Sequence, residues 1–252
     1  MSLAQLISHL DQQRDLIRAT NLARFFKTGK GEYGEGDQFL GLIVPQIREA
    51  VRLYWREISF SDLDELLASP YHEHRLTGLL ILVKQYEKGD DGIKKSIYDF
   101  YLAHLTRINN WDLVDLSAPN IVGDYLSTHP RNILYHYARS PHLWTRRIAI
   151  LSTFAFIRAR DYADSLAIAE ILLHDPHDLI HKAAGWMLRE IGKRDLPTLF
   201  SFLDQHATVM PRTMLRYAIE KLETEVRLHY LSLKSGLSKN RTVTHTKANN
   251  PK

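Results

Sequence analysis

Apolar residues along this chain recur at helical spacing. Leu3, Leu6, Ile7 and Leu10 fall at i, i+3, i+4 and i+7, and Ile47, Val51 and Tyr54 follow the same rule. Runs of strict apolar–polar alternation, which would mark strands, are missing. Glycine and proline punctuate the periodic segments, at Pro70, Gly89, Gly92, Pro130, Pro141 and Pro176. The pattern predicts about a dozen helices, mostly of roughly 8–18 residues, joined by short loops.

The helices also repeat. Ala149 is followed 35 residues later by Ala184 and 34 after that by Ala218, while Gly78 lies 71 residues before Ala149, which is two periods. Each of these small residues sits inside an apolar helical segment, where two helices can approach closely. A period near 35 built from a helix pair, with little identity between units, is the signature of a HEAT-like helical solenoid. The expectation is an all-α HEAT-like repeat, curved so that one face is concave.

The period exposes one anomaly. The unit between Gly78 and Ala149 centres near Val114, inside the stretch NNWDLVDLSAP from Asn109 to Pro119. Asp115 then stands where the other units have Leu79, Ile150, Gly185 and Ile219. An ionisable group in a core-type position is costly unless it is paired or used. Two readings stand open: an aspartate satisfied by a neighbouring arginine or capping an adjacent helix, or a functional carboxylate. Trp111, one turn earlier, shares its face. Trp186 falls two units on, and Arg146 and Arg147 lie in the unit between. On a curved solenoid these residues would line the concave surface. That set suits a polyanionic partner with a reactive centre, or a protein groove.

Charge alters the picture less than the total suggests. The net charge is +4, but residues 235–252 hold Lys239, Arg241, Lys247 and Lys252 and no acid, so the remainder is neutral. The expected organisation is one domain over 1–234 and a basic disordered tail over 235–252. Any nucleic-acid binding by the folded part then needs a local basic face. There are no cysteines, which excludes disulfides and thiolate chemistry and fits a reducing cytoplasm. No apolar run approaches membrane-span length. The first twenty residues carry Asp11 and Asp15 and no small-residue cleavage site, so they do not read as a signal peptide.

Three other signals carry little. Gly29, Gly31 and Gly34 have the spacing of a dinucleotide fingerprint but follow a helical segment, LARFFK, and read as a surface loop. His174, His177 and His181 have no carboxylate in a metal motif beside them, so no metal site is expected. HEH at 72–74 reads as a solvated helix start.

The motifs NNWDLVD (109–115), LWTRRIAIL (143–151) and IHKAAGWMLREIGK (180–193) together resemble the AlkD family of DNA alkylation repair glycosylases. KTGKGEYGEGDQFLGLIVPQIR (27–48) and MPRTMLRYAIEKL (210–222) fit the same family. The resemblance covers roughly residues 1–232. It implies a glycosylase that removes cationic alkylated purines such as 3-methyladenine and 7-methylguanine from duplex DNA. It further implies no metal or cofactor, a monomer, and no flipping of the lesion into a pocket. By motif, Asp115 matches the catalytic carboxylate, Trp111 and Trp186 the tryptophans packed on the lesion's deoxyribose, and Arg147 an arginine contacting DNA there. Lys182 and Arg189 are implied phosphate contacts, and Arg146, from its place in the repeat beside Arg147, is a further expected DNA contact. Phe25 stands where the family has a tyrosine, which puts any hydroxyl-dependent role there in doubt. The rival reading is a non-catalytic helical-repeat module that binds DNA or a protein, since most solenoids are scaffolds.

Overall fold

A computed structural model describes residues 2–233; the tail over 235–252 lies outside the described residues. The chain is all-α. No strand occurs among the described residues, and sheet-like pairing is confined to a single bridge between Gln38 and Tyr71. Backbone contacts group the chain into two compact units, with the sequence boundary between Ile171 and Leu172.

The first unit opens with α1 (Leu3–Asp11), α2 (Leu16–Phe25), α3 (Val44–Tyr54), α4 (Phe60–Ala68), α5 (His72–Lys88) and α6 (Asp91–Ala103). Helix α7 (Trp111–Ala118) runs through a π-helical turn at Pro119–Gly123 into α8 (Asp124–Leu126). The unit closes with α9 (Asn132–Tyr137), α10 (Leu143–Ser152), α11 (Phe154–Arg158) and α12 (Ala163–Ile171). Local chemistry sets the starts. Ser2 and Gln5 close a capping box on α1, Ser59 and Asp62 another on α4, and Asp90 caps α6.

The second unit holds α13 (Asp178–Gly192), α14 (Leu196–His206), α15 (Arg212–Ala218) and α16 (Thr224–Ser232). Asp195 caps α14, with Pro197 in its first turn, where a missing N–H costs nothing.

The 35-residue period maps onto this order. Gly78 lies on α5, Val114 on α7, Ala149 on α10, Ala184 on α13 and Ala218 on α15, and all five are buried. Each lies on a helix that packs against its neighbours within its own unit. In the first unit α4 packs on α5, α9 packs on α10, and α7 lies against both α5 and α10. In the second, α13 packs on α15. At Gly78 a Cβ would lie 3.2 Å from the Leu66 Cβ of α4, a close helix approach. At Gly185, next to Ala184, a Cβ would come within 2.5 Å of the Met214 carbonyl oxygen and 2.6 Å of the Tyr217 Cβ.

The glycine-rich segment after α2 is a run of turns, mostly exposed, with Gly31 and Gly36 at φ +79° and +87°. The reading of HEH at 72–74 fails. His72, Glu73 and His74 are 2%, 2% and 6% exposed. They open a helix packed against α3, α4, α6 and α7, and the loop before α3 folds over them.

Candidate functional site

The start of α7 is fixed by Asn110. Its side-chain oxygen accepts from the Trp111 amide at 2.8 Å, while its Nδ2 donates to Asp37 at 3.2 Å. The cap therefore ties α7 to the loop that follows α2. Trp111, Asp112 and Asp115 project from the first two turns beyond it.

Trp111 is packed from behind. Its ring stacks on Phe26 at 5.1 Å with 14° between planes, and Phe25 meets it edge-on at 6.0 Å. Phe26 is buried, whereas Phe25 is exposed. Around these rings lies a pocket of about 390 Å3, walled by Leu22, Phe25, Phe26, Trp111, Asp112 and Asp115 among others. Its walls are apolar except for a few charged groups.

Asp115 is gripped by Arg147 from α10. The guanidinium Nε donates to Oδ1 at 2.8 Å and Nη2 to Oδ2 at 2.7 Å, a bidentate pair. The arginine side chain is 5% exposed and the aspartate 14%. Burial pushes the Asp115 carboxyl above its ordinary range, Arg147 pulls it back down, and the charge of nearby Asp112 pushes it up further. The first of the two readings left open, a carboxylate satisfied by an arginine, is thus realised. Yet Asp115 also lines the pocket, so the pairing does not remove it from reach.

Of the expected residues, the fold brings Phe25, Trp111, Asp115 and Arg147 together. Arg146 is not among them. One position earlier on α10, it donates instead to the carbonyl oxygens of Ser140 and Pro141, both at 2.9 Å. In the second unit Lys182, Trp186 and Arg189 share one face of α13, spaced four and three residues apart. Lys182 pairs with Asp178 at 2.8 Å and Arg189 with Glu220. The Trp186 indole donates to Glu190 at 3.3 Å. Burial works to raise the Glu190 carboxyl, but Lys193 and Arg194 outweigh it and hold it below the ordinary range. Of the three histidines with metal-like spacing, His177 caps α13 through the Leu179 amide at 3.1 Å, and His181 faces the Asp175 carbonyl at 2.6 Å.

Two buried polar groups behind the site went unread in the sequence. Glu73 accepts from three consecutive amides, Leu40 at 2.9 Å, Gly41 at 2.8 Å and Leu42 at 3.2 Å. It pins the loop that forms one pocket wall. His72 lies between two carboxylates, 3.2 Å from Asp37 and 2.8 Å from Asp112. A signal was available. Counting back from Leu79 along the buried stripe of α5 gives Leu76, Arg75 and His72, so the polar residues continue the core face.

Packed helices of the first unit that carry an aromatic pocket, with a paired carboxylate at its edge, define a helical-repeat protein with a built site. The model of the DNA alkylation repair enzyme family matches residues 6–222, and the chain belongs to that family. A solved structure, a predicted DNA alkylation repair enzyme from Enterococcus faecalis, superposes with a TM-score of 0.65 over 84% of this chain and 97% of its own. At 14% identity it supports the fold alone. No curated protein sequence matches. Among the described residues no helix is long and apolar enough to cross a membrane.

Proposed function

We propose that the chain is a monofunctional DNA glycosylase that hydrolyses the N-glycosidic bond of 3-methyladenine and 7-methylguanine in duplex DNA, without moving the base into a pocket. The observation that carries this reading is Asp115, a carboxylate held in fixed orientation by Arg147 at the edge of an aromatic wall formed by Trp111. The mostly apolar walls suit packing against a sugar beside the duplex rather than hydrogen-bonded reading of a base.

The chemistry follows from the substrate's charge. The bond from C1′ to the alkylated purine breaks with its electron pair going to the base, which departs neutral. Positive charge develops on the sugar. Asp115 stabilises it where it forms, and the Trp111 face adds attraction for the cation. Water then adds at C1′ and releases a proton. At about 4 Å and an effective dielectric near 20, one carboxylate contributes up to about 4 kcal/mol. Arg147 lowers that figure, and its full value corresponds to roughly a thousandfold in rate. Such help suits a labile cationic lesion and is too small for a neutral base, which leaves poorly unless protonated. On α13, Trp186 with Lys182 and Arg189 supplies the second unit's own contact to the duplex.

One observation favours the rival reading of a non-catalytic binding module: the Asp115–Arg147 pair also serves as a structural tie. Asp115→Asn separates the two. In paired binding and single-turnover assays on a duplex with one 7-methylguanine, the variant should bind within about twofold of wild type and excise up to a thousandfold more slowly. Uracil and hypoxanthine duplexes should release nothing. Unchanged excision by Asp115→Asn, or efficient uracil release, would overturn the mechanism.

A further inference from the structure

His72 sits at the first position of α5, where the helix dipole disfavours a cation, and it is 2% exposed. A neutral imidazole has one N–H, yet both ring nitrogens here face carboxylate oxygens, Nδ1 toward Asp37 at 3.2 Å and Nε2 toward Asp112 at 2.8 Å. With both carboxylates ionised, both contacts are satisfied only when both nitrogens carry protons. Two aromatic rings flank the imidazole, Phe39 stacked at 4.8 Å and Phe26 tilted at 4.9 Å. Phe26 is the ring on which Trp111 stacks. Resting on the glycosylase reading, we propose that His72 is a positioning residue: as an imidazolium it cancels the charge of Asp112 and backs the Phe26–Trp111 stack, leaving Asp115 the carboxylate that acts on the substrate.

The surrounding charges fit. From the loop after α2 comes Asp37, which also receives Arg75 Nη2 at 2.6 Å. From α5 come Arg75 itself and Glu73, the latter occupied by loop amides. From α7 come Asp112 and Asp115, the latter paired with Arg147 of α10. Asp37, Arg75, His72 and Asp112 together are neutral only while His72 is charged. Burial pulls the His72 proton affinity down, but Asp112 and then Asp37 outweigh it and, against Arg75, lift the imidazole to about 9. Removing the cation would leave Asp112 uncompensated, and its charge raises the Asp115 carboxyl.

Two measurements test this. First, nitrogen-15 NMR of the wild-type protein, with His72 assigned through the backbone, should show both ring nitrogens protonated at pH 7.5 and a midpoint near 9. A singly protonated ring at pH 7.5 would overturn the proposal, and this arm needs neither a variant nor activity. Second, single-turnover excision of 7-methylguanine by His72→Gln should fall by about ten- to a hundredfold with DNA affinity nearly unchanged. The acid limb of its pH profile should move to higher pH. Adding Asp112→Asn removes the stray charge and should return that limb to its wild-type position, a rescue that a merely structural histidine would not give. A His72→Gln protein with wild-type rate and pH profile would also overturn the proposal. If wild type excises no cationic purine at all, the glycosylase reading fails, and the NMR result alone decides the state of His72.

Discussion

Replacing Arg147 by alanine tests how firmly the site depends on one ion pair. The guanidinium and the Asp115 carboxylate exclude most solvent, at 5% and 14% exposure, and share two hydrogen bonds of 2.8 and 2.7 Å. Truncation leaves a buried carboxylate that burial already drives toward its neutral form, now without its counter-charge. Breaking such a pair from one side costs about 3–5 kcal/mol. At roughly 2–4 °C per kcal/mol for a protein of this size, the melting temperature should fall by about 6–20 °C. Arg147→Lys keeps the charge but loses the planar fork, and should cost about 1–2 kcal/mol. The assay is urea denaturation followed by circular dichroism, run as a double-mutant cycle with Asp115→Asn. The gap between wild type and Arg147→Ala should narrow as pH falls, because protonated Asp115 no longer needs a partner. Stability of Arg147→Ala within about 1 kcal/mol of wild type, or a cycle with no coupling, would refute the reasoning.

Glu73→Gln should destabilise by about 2–3 kcal/mol, because a carboxylate accepting three loop amides gives way to a group that sets a donor against them; chemical denaturation reads this, with faster amide exchange expected at Leu40–Leu42. Gly185→Ala should cost about 1–3 kcal/mol by forcing α13 and α15 apart, measurable as a lower melting temperature with little change in helix content. The His72 imidazole is raised in the folded protein from 6.5 to about 9. Its stabilising contribution, on the order of 3 kcal/mol, is therefore complete below pH 6.5 and lost as pH rises through 9. Urea midpoints across pH 6–10 should fall in that window, and His72→Gln should remove the fall.

The repeat and its anomaly were legible because they rest on local pattern. Small residues at Gly78, Ala149, Ala184 and Ala218 mark helix–helix contacts, and steric contact imposes its period on the sequence directly. Asp115 stood out by breaking that period. Trp111, four residues away, followed from helix geometry. The buried network behind the site was not legible, because its partners are far apart. His72 meets Asp37 and Asp112, 35 and 40 residues away, and Asp37 meets Asn110 across 73. The register of α5 put His72 on the core face, but nothing local named the carboxylates that neutralise it, so HEH passed for a solvated start. The same limit applied to Arg146 and Arg147. Adjacent on a helix, they point about 100° apart, and only the packing of α10 against α7 selects which one reaches Asp115.

The π-helical turn at Pro119–Gly123 gives the helix that bears the site an adjustable phase. Each residue added to or removed from a helix rotates everything beyond it by about 100°. Here that rotation is absorbed in one wide turn, seated where a Cβ on Gly123 would lie 2.2 Å from the Ser152 carbonyl oxygen. Upstream, Trp111 and Asp115 keep the azimuth their pocket requires. Downstream, α8 keeps the different azimuth that its packing on α6 requires. The two ends of one continuous rod are thus set to different azimuths by one wide turn. A single deletion within the wide turn would restore regular winding and swing one end out of place.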